Sequence, residues 1–236
     1  MPSAGGVGAE RLCSKSSRLN DDEESMKGYY AARAPYYDDG YEKPERREDI
    51  AFLKSWLPET FSGLSVLEVA CGTGYWTQYI APAAGTMVAT DGVPEPLELA
   101  RTRPATEQVR FLVADAYDLP PQLGRFDAAF AGLWLSHVPK GRRAAFLDSL
   151  HHHLSPGATV VLLDNSETQC RDLPITGHDE EGNTYQNRQL RDGSTHRVLK
   201  NFPTESELET MISGIGRHAR YRELANFWLF QYENNT

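Results

Sequence analysis

One short stretch limits the folds open to this chain. Val66-Leu67-Glu68-Val69 is a compact apolar run with an acid inside it. It breaks at Ala70-Cys71-Gly72-Thr73-Gly74 and resumes with helical character from Tyr75 to Ile80. The pattern reads as a buried strand, a tight glycine turn and a helix start. Gly72 and Gly74 have no Cβ, so the backbone there can adopt unusual angles and let a ligand come close. The helix behind the turn offers unpaired N–H groups to an anionic group.

The following segments repeat the strand–helix alternation. Thr86 to Thr90 reads as a second strand ending at Asp91, and Pro94 to Arg101 as a helix. Asp91 follows Gly74 by seventeen positions, room for one helix and a return. In a βαβ unit this sets the acid beside the glycine turn, at the carboxyl end of its strand. A carboxylate there can accept both hydroxyls of a ribose, or it simply ends the strand. Val109 to Asp115 reads as a third strand, Arg125 to Gly132 as a fourth, and Ala158 to Asp164 as a fifth after the Pro156-Gly157 turn. Such alternation defines an α/β protein with a largely parallel sheet. His218 to Leu224 and Asn226 to Tyr232 read as a closing antiparallel hairpin.

A dinucleotide fingerprint, G-x-G-x-x-G/A, fits poorly, because the third small position falls on Thr77. The stretch Glu68-Val-Ala70-Cys-Gly72-Thr-Gly74 instead resembles motif I of the class I S-adenosylmethionine (SAM)-dependent methyltransferases, with Ala70 in place of the first glycine. The resemblance runs from about Tyr29 to Gly157 and more weakly to the C-terminus. It implies a Rossmann-like, doubly wound, seven-stranded, mostly parallel sheet with an antiparallel C-terminal edge hairpin and helices on both faces. It implies SAM as cofactor and S-adenosylhomocysteine (SAH) as product. The cofactor residues it suggests begin with Glu68, Ala70, Gly72, Gly74 and Trp76 around the turn. Asp91 and Gly92 would meet the ribose, Asp115 the adenine amino group, and Ala116 and Leu133 would complete the pocket.

Tyr29-Tyr30-Ala-Ala-Arg33-Ala-Pro-Tyr36-Tyr37-Asp38 resembles a segment that precedes the core in many small-molecule methyltransferases and covers the cofactor. By that resemblance Tyr30 and Arg33 would reach the cofactor carboxylate or the acceptor, and Tyr29 would contact the acceptor. An arginine fork suits a carboxylate. Plain packing of the tyrosines on the sheet is the alternative. The end of the fourth strand, Leu133-Trp134-Leu135-Ser136-His137, would face the methyl group. His137 is the candidate general base, since its ordinary pKa is near neutrality, or it only packs. Trp134 would wall the acceptor pocket or join the core. His151-His152-His153 cannot all bind one ion, because successive helix positions diverge by about 100°, and no metal is expected.

Residues 165–202 turn polar and are expected to cap the acceptor pocket, with Asp192-Gly193 at a hairpin turn. Arg188, Arg191, Arg197 and Lys200 either grip an acidic acceptor or form a solvated charged face; Arg188 and Arg197 are the candidates for contact. Thr204 followed by Glu207 marks a helix start.

Composition narrows the function. A formal charge of −9 argues against a nucleic-acid partner, which demands a basic field. No apolar run approaches the roughly 20 residues of a membrane span, and the N-terminus lacks a signal-peptide pattern. Three cysteines without metal-ligand spacing fit a reduced, cytoplasmic enzyme. Residues 1–27 read as a mobile tail and 28–236 as one methyltransferase domain, with lid and cap helices at 28–60. The expected activity is methyl transfer to oxygen or nitrogen of a small, potentially anionic acceptor. Methylation at carbon, as in quinone-type biosynthesis, is the alternative, and an NAD-dependent oxidoreductase a more distant one.

Overall fold

A computed structural model describes residues 24–235. Most of the expected tail lies outside the described residues, but 24–27 do not belong to it: they form the first turn of helix α1, residues 24–33. A 3-10 segment, Ala34–Gly40, continues α1 across the top of the molecule. Helix α2, Arg47–Thr60, follows and buries Ile50, Leu53 and Leu57.

The main sheet has seven strands in the order β3-β2-β1-β4-β5-β10-β9. These are β1 Ser65–Val69, β2 Thr86–Asp91, β3 Arg110–Val113, β4 Phe126–Gly132, β5 Leu154–Asn165, β9 Gly216–Glu223 and β10 Phe227–Asn234. Strands β1 to β5 pair in parallel, while β10 runs antiparallel to both β5 and β9. The connecting helices are α3 Thr77–Ile80, α4 Pro94–Ala100 and α5 Arg143–His151, with α6 Glu205–Met211 before the final hairpin. Thr204 and Glu207 form a reciprocal capping box at the start of α6, so the sequence signal there was sound.

Side chains alternate faces along a strand, and a sheet covered on both sides is apolar on both. In β4, Ala129 and Ala131 enter one core with Phe146, Leu150, Leu162 and Phe230. Ala128 and Phe130 enter the other, with Leu53, Leu57, Phe61, Ile80 and Leu163. The strand order reverses between β1 and β4, which opens a crevice at their carboxyl ends, where ligands bind in such sheets.

Strand β5 starts at Leu154 rather than Ala158: Leu154 pairs with Phe126, and the register then shifts before Thr159. Between β5 and α6, a small sheet of β6 Gly177–His178, β7 Thr184–Gln189 and β8 Thr195–Leu199 stands over the crevice. Gly193, at φ +89, lies in the β7–β8 turn, as expected of an Asp-Gly pair.

Candidate active site

The glycine turn caps the carboxyl end of β1. Ala70, Gly72 and Gly74 take φ values of +55, +55 and +72, a region costly to residues with a Cβ. The two glycines serve different ends. A Cβ on Gly72 would meet nothing within 4 Å, and Gly72 borders the crevice cavity. A Cβ on Gly74 would stand 2.9 Å from Ala100 Cβ. Gly74 therefore admits α4 rather than a ligand, and it does not line the cavity.

Asp91 ends β2 beside this turn. Its Oδ2 accepts the Gly72 N–H and its Oδ1 the Val93 N–H, both at 2.8 Å. Burial pushes its pKa up to about 6, against the pull of those two donors. Each oxygen has a second lone pair for another donor. Gly92, Asp115 and Ala116 line the same cavity, as do Ala70, Leu133, Trp134 and His137. Asp115 is exposed, and its Oδ1 accepts the Tyr117 N–H at 2.9 Å. Leu133, at φ +57, marks the sharp bend that brings β4 into the crevice.

Two expected cofactor residues lie beneath the site. Glu68 is buried, accepts a hydrogen bond from Thr77 Oγ1 at 2.6 Å and thereby fixes the start of α3; burial raises its pKa to about 8. Trp76 packs against the rings of Tyr41 and Tyr75 at 5.4 and 5.0 Å. Neither lines the cavity.

A second cavity adjoins the first. It is lined by Tyr30, Tyr37, Leu133 and His137, which also line the first, by five cations, Arg33, Lys43, Arg46, Arg188 and Lys200, and by one acid, Asp172, which pairs with Lys43 at 2.5 Å. Arg33 thus belongs to this second chamber. Its guanidinium lies 5.0 Å from the Tyr37 ring centre, and its Nη1 donates to Tyr29 Oη at 3.1 Å. Tyr29 itself is buried against Leu190 and Val198 of the small sheet, so it supports the roof and does not line either chamber. Arg188 and Arg197 part company because strand residues alternate. Arg188 is buried in the chamber, whereas Arg197, paired with Asn187, is exposed and stacks 3.3 Å over the Tyr185 ring. Arg191 is exposed and bonds Asp39 at 2.6 Å, tying the small sheet to the Ala34–Gly40 segment.

His137 sits where the chambers meet. Its Nδ1 is 2.6 Å from the Leu199 carbonyl oxygen, so that nitrogen carries the proton. Its Nε2 then accepts from Tyr30 Oη at 2.8 Å. Burial, then the charges of Lys200 and Arg188, drive its pKa well below the ordinary value, and the ring is neutral. Below it lies a buried pair: Lys200 Nζ donates to Asp164 Oδ1 at 2.7 Å and to Ser136 Oγ at 2.6 Å. Burial lowers Lys200 to about 8 against the pull of Asp164. Burial would raise Asp164, but Lys200 and the Ser136 N–H hold it below its usual range.

Sequence reasoning passed over Tyr37 and Asp164 as site residues and did not separate Lys200 from its basic neighbours. Asp164 carried a usable signal, an acid at a strand tip, the same one that marked Asp91. Among the described residues no cluster of His, Cys, Asp or Glu could hold a metal ion, and no helix is long and apolar enough to cross a membrane.

The crevice residues fit a nucleoside sulfonium: the bare Gly72 edge leaves room, and two acids, Asp91 and Asp115, line one slot. Known proteins agree. A family model described as a methyltransferase domain matches residues 66–157. A solved DhpI–SAM–HEP complex is 30% identical, with a TM-score of 0.74, over 89% of this chain and 97% of that one. A DhpI–SAH complex is 29% identical, with a TM-score of 0.73, over 90% and 96%. The demethylmenaquinone methyltransferase of Staphylococcus aureus (strain MRSA252) is 33% identical over 109 residues, 44% of each chain. The match thus spans under half the length of that curated relative. The chain belongs to the SAM-dependent methyltransferases.

Proposed function

We propose that the protein transfers the methyl group of SAM to an oxygen or nitrogen of a small, anionic acceptor and releases SAH. One observation carries this reading: a crevice suited to the cofactor meets a cation-lined chamber at Tyr30, Tyr37, Leu133 and His137. When bound, SAM supplies a methyl group already activated by a sulfonium. The residues then have to align a nucleophile behind it and keep water out.

In this reading Gly72 and Ala70 give room to the methionine portion. Asp91 accepts the ribose hydroxyls, with its own position fixed by the Gly72 and Val93 N–H groups. Asp115 accepts the adenine amino group, and Gly92, Ala116 and Leu133 flank the nucleoside. Arg33, Arg188 and Lys200 hold the acceptor's charge, and Tyr30 and Trp134 shape its approach. For a neutral hydroxyl or amine, His137 is the candidate base, reached through Tyr30. An anionic oxygen needs no base, and Lys200 and Arg188, which together with burial keep His137 neutral, favour that case. Helix α1 and the β7–β8 hairpin form the cover.

Methylation at carbon of a quinone is the second reading, favoured by the similarity to demethylmenaquinone methyltransferases. The family match ends at 157, before Arg188 and Lys200, and a chamber with this many cations suits a small acid better than an apolar ring. The deciding experiment measures SAH release across a panel of carboxylates, phosphorylated metabolites, neutral alcohols, amines and hydroxyquinones. Turnover restricted to quinones would overturn the anionic assignment, and absence of SAM and SAH binding would overturn the whole reading.

A further inference from the structure

Asp38 stands in the Ala34–Gly40 segment, outside both chambers, and joins three pieces of the molecule. Its Oδ1 accepts a hydrogen bond from Thr73 Oγ1 at 2.7 Å. Its Oδ2 pairs with Nη2 of Arg103, just beyond α4. Arg103 closes the triangle, donating from Nε to the Thr73 carbonyl at 2.9 Å and from Nη2 to Thr73 Oγ1 at 3.3 Å. Thr73 is 2% exposed and borders the crevice between two left-handed glycines. Its hydroxyl and its carbonyl are therefore both fixed from outside the turn. A backbone with three left-handed residues in five has many other conformations available, and a clamp on its middle residue removes them.

We infer that Asp38, with Arg103, is a positioning residue for the cofactor: it holds the glycine turn in its binding shape through Thr73. The inference rests on the cofactor reading above. The pair is only about three-quarters shielded from solvent, at 24% and 25% side-chain exposure, so its worth as a fold-stabilising ion pair is small. Its geometric effect lands on the cofactor. An acceptor anion does not touch it, so its loss should appear in SAM affinity and not in the transfer step.

The test is calorimetric titration with SAH of the full chain and of Asp38→Ala, Arg103→Ala, the double variant, Thr73→Val and Thr73→Ser. The expected result is a dissociation constant raised roughly tenfold in each single alanine variant, with the double variant no weaker than the poorer single, because one clamp is lost once. Thr73→Val should weaken binding and Thr73→Ser should restore it. At saturating SAM, kcat should stay within about twofold of the parent while KM for SAM rises. A folded Asp38→Ala protein with the parent's SAH affinity would overturn the inference. If Asp38→Ala does not fold, equal affinities of Thr73→Val and Thr73→Ser would do the same. A parent protein that binds no SAH refutes the cofactor reading, and this inference with it.

Discussion

Asp91→Asn should move stability and cofactor affinity in opposite directions. Burial lifts the Asp91 carboxyl from 3.8 to about 6. Above pH 6 the folded protein carries a buried charge that the unfolded chain would hold in water, a cost of about 3 kcal/mol for roughly two pKa units. That cost is absent below about pH 4 and grows through pH 6, so this group's contribution to stability declines as pH rises across that window. Asparagine removes the charge but gives up one of the two backbone N–H bonds, from Gly72 or Val93, which costs about 1 kcal/mol. The cofactor-free variant should therefore be more stable at pH 7 by about 1–2 kcal/mol. SAH affinity should fall by about 1.5–3 kcal/mol, since the charged, two-oxygen contact to the ribose is gone. In the parent, SAH should bind more tightly as pH rises from 5 to 7, and the variant should lose this dependence. Denaturant unfolding and calorimetric titration at pH 5, 6, 7 and 8 measure both effects. A folded Asn variant that binds SAH as the parent does, or a parent whose affinity is flat across pH 5–7, would refute the assignment of Asp91 to the ribose.

Arg188→Ala should raise KM for an anionic acceptor tenfold or more, about 1.4 kcal/mol or above, and leave SAH affinity unchanged; calorimetry and initial rates separate the two. Acceptor KM should also climb above pH 8, where the Lys200 ammonium, lowered to about 8 by burial, loses its proton. His137→Ala should spare SAH binding. If the nucleophile is an anionic oxygen, the pH profile of kcat should keep its shape, whereas a lost acid limb would identify His137 as a base. Gly74→Ala should destabilise the protein by more than about 1 kcal/mol, from left-handed strain plus the clash with Ala100. Gly72→Ala should cost only the strain in stability, measured by thermal unfolding.

The alternation of apolar strands and helices revealed the sheet because both cores draw on the same continuous runs in β4, β5 and β10. Motif I and the acids at the strand tips pointed to one crevice, which Gly72, Asp91 and Asp115 all line, because sheet topology brings carboxyl ends together whatever lies between them. What sequence could not resolve was facing. Gly72 and Gly74 look alike in the motif, yet one opens to the crevice and the other to Ala100. Trp76 is adjacent to the turn in sequence but stands at the start of α3 with its ring packed on Tyr41. Arg188 and Arg197 are separated by the phase of a hairpin that sequence leaves undetermined. Long-range partners were hidden altogether, as with Asp38 and Arg103 or Asp164 and Lys200, which are neighbours only because the cover folds back.

The two chambers share Tyr30, Tyr37, Leu133 and His137 but draw their acids and cations from different parts of the chain, and this bears on how function diverges in such a fold. Residues 66–157, matched by the family model, hold the glycine turn, Asp91 and Asp115. Arg33 and Arg46 come from before that span, and Arg188 and Lys200 from after it. The shared portion answers to a cofactor that does not change, so its strand tips and turn are constrained together. In the proposed reading the cover answers to the acceptor, apart from the Asp38 clamp on the glycine turn, and it meets the core at His137 Nδ1 on Leu199 and Lys200 on Asp164, among other contacts. Cations of the cover other than Lys200 can be exchanged for apolar groups without disturbing β1 to β5; losing Lys200 would leave Asp164 of β5 buried without its partner cation. Similarity confined to the core therefore speaks for the methyl donor, and under the proposed function the acceptor is to be sought at Arg33, Arg188 and Lys200.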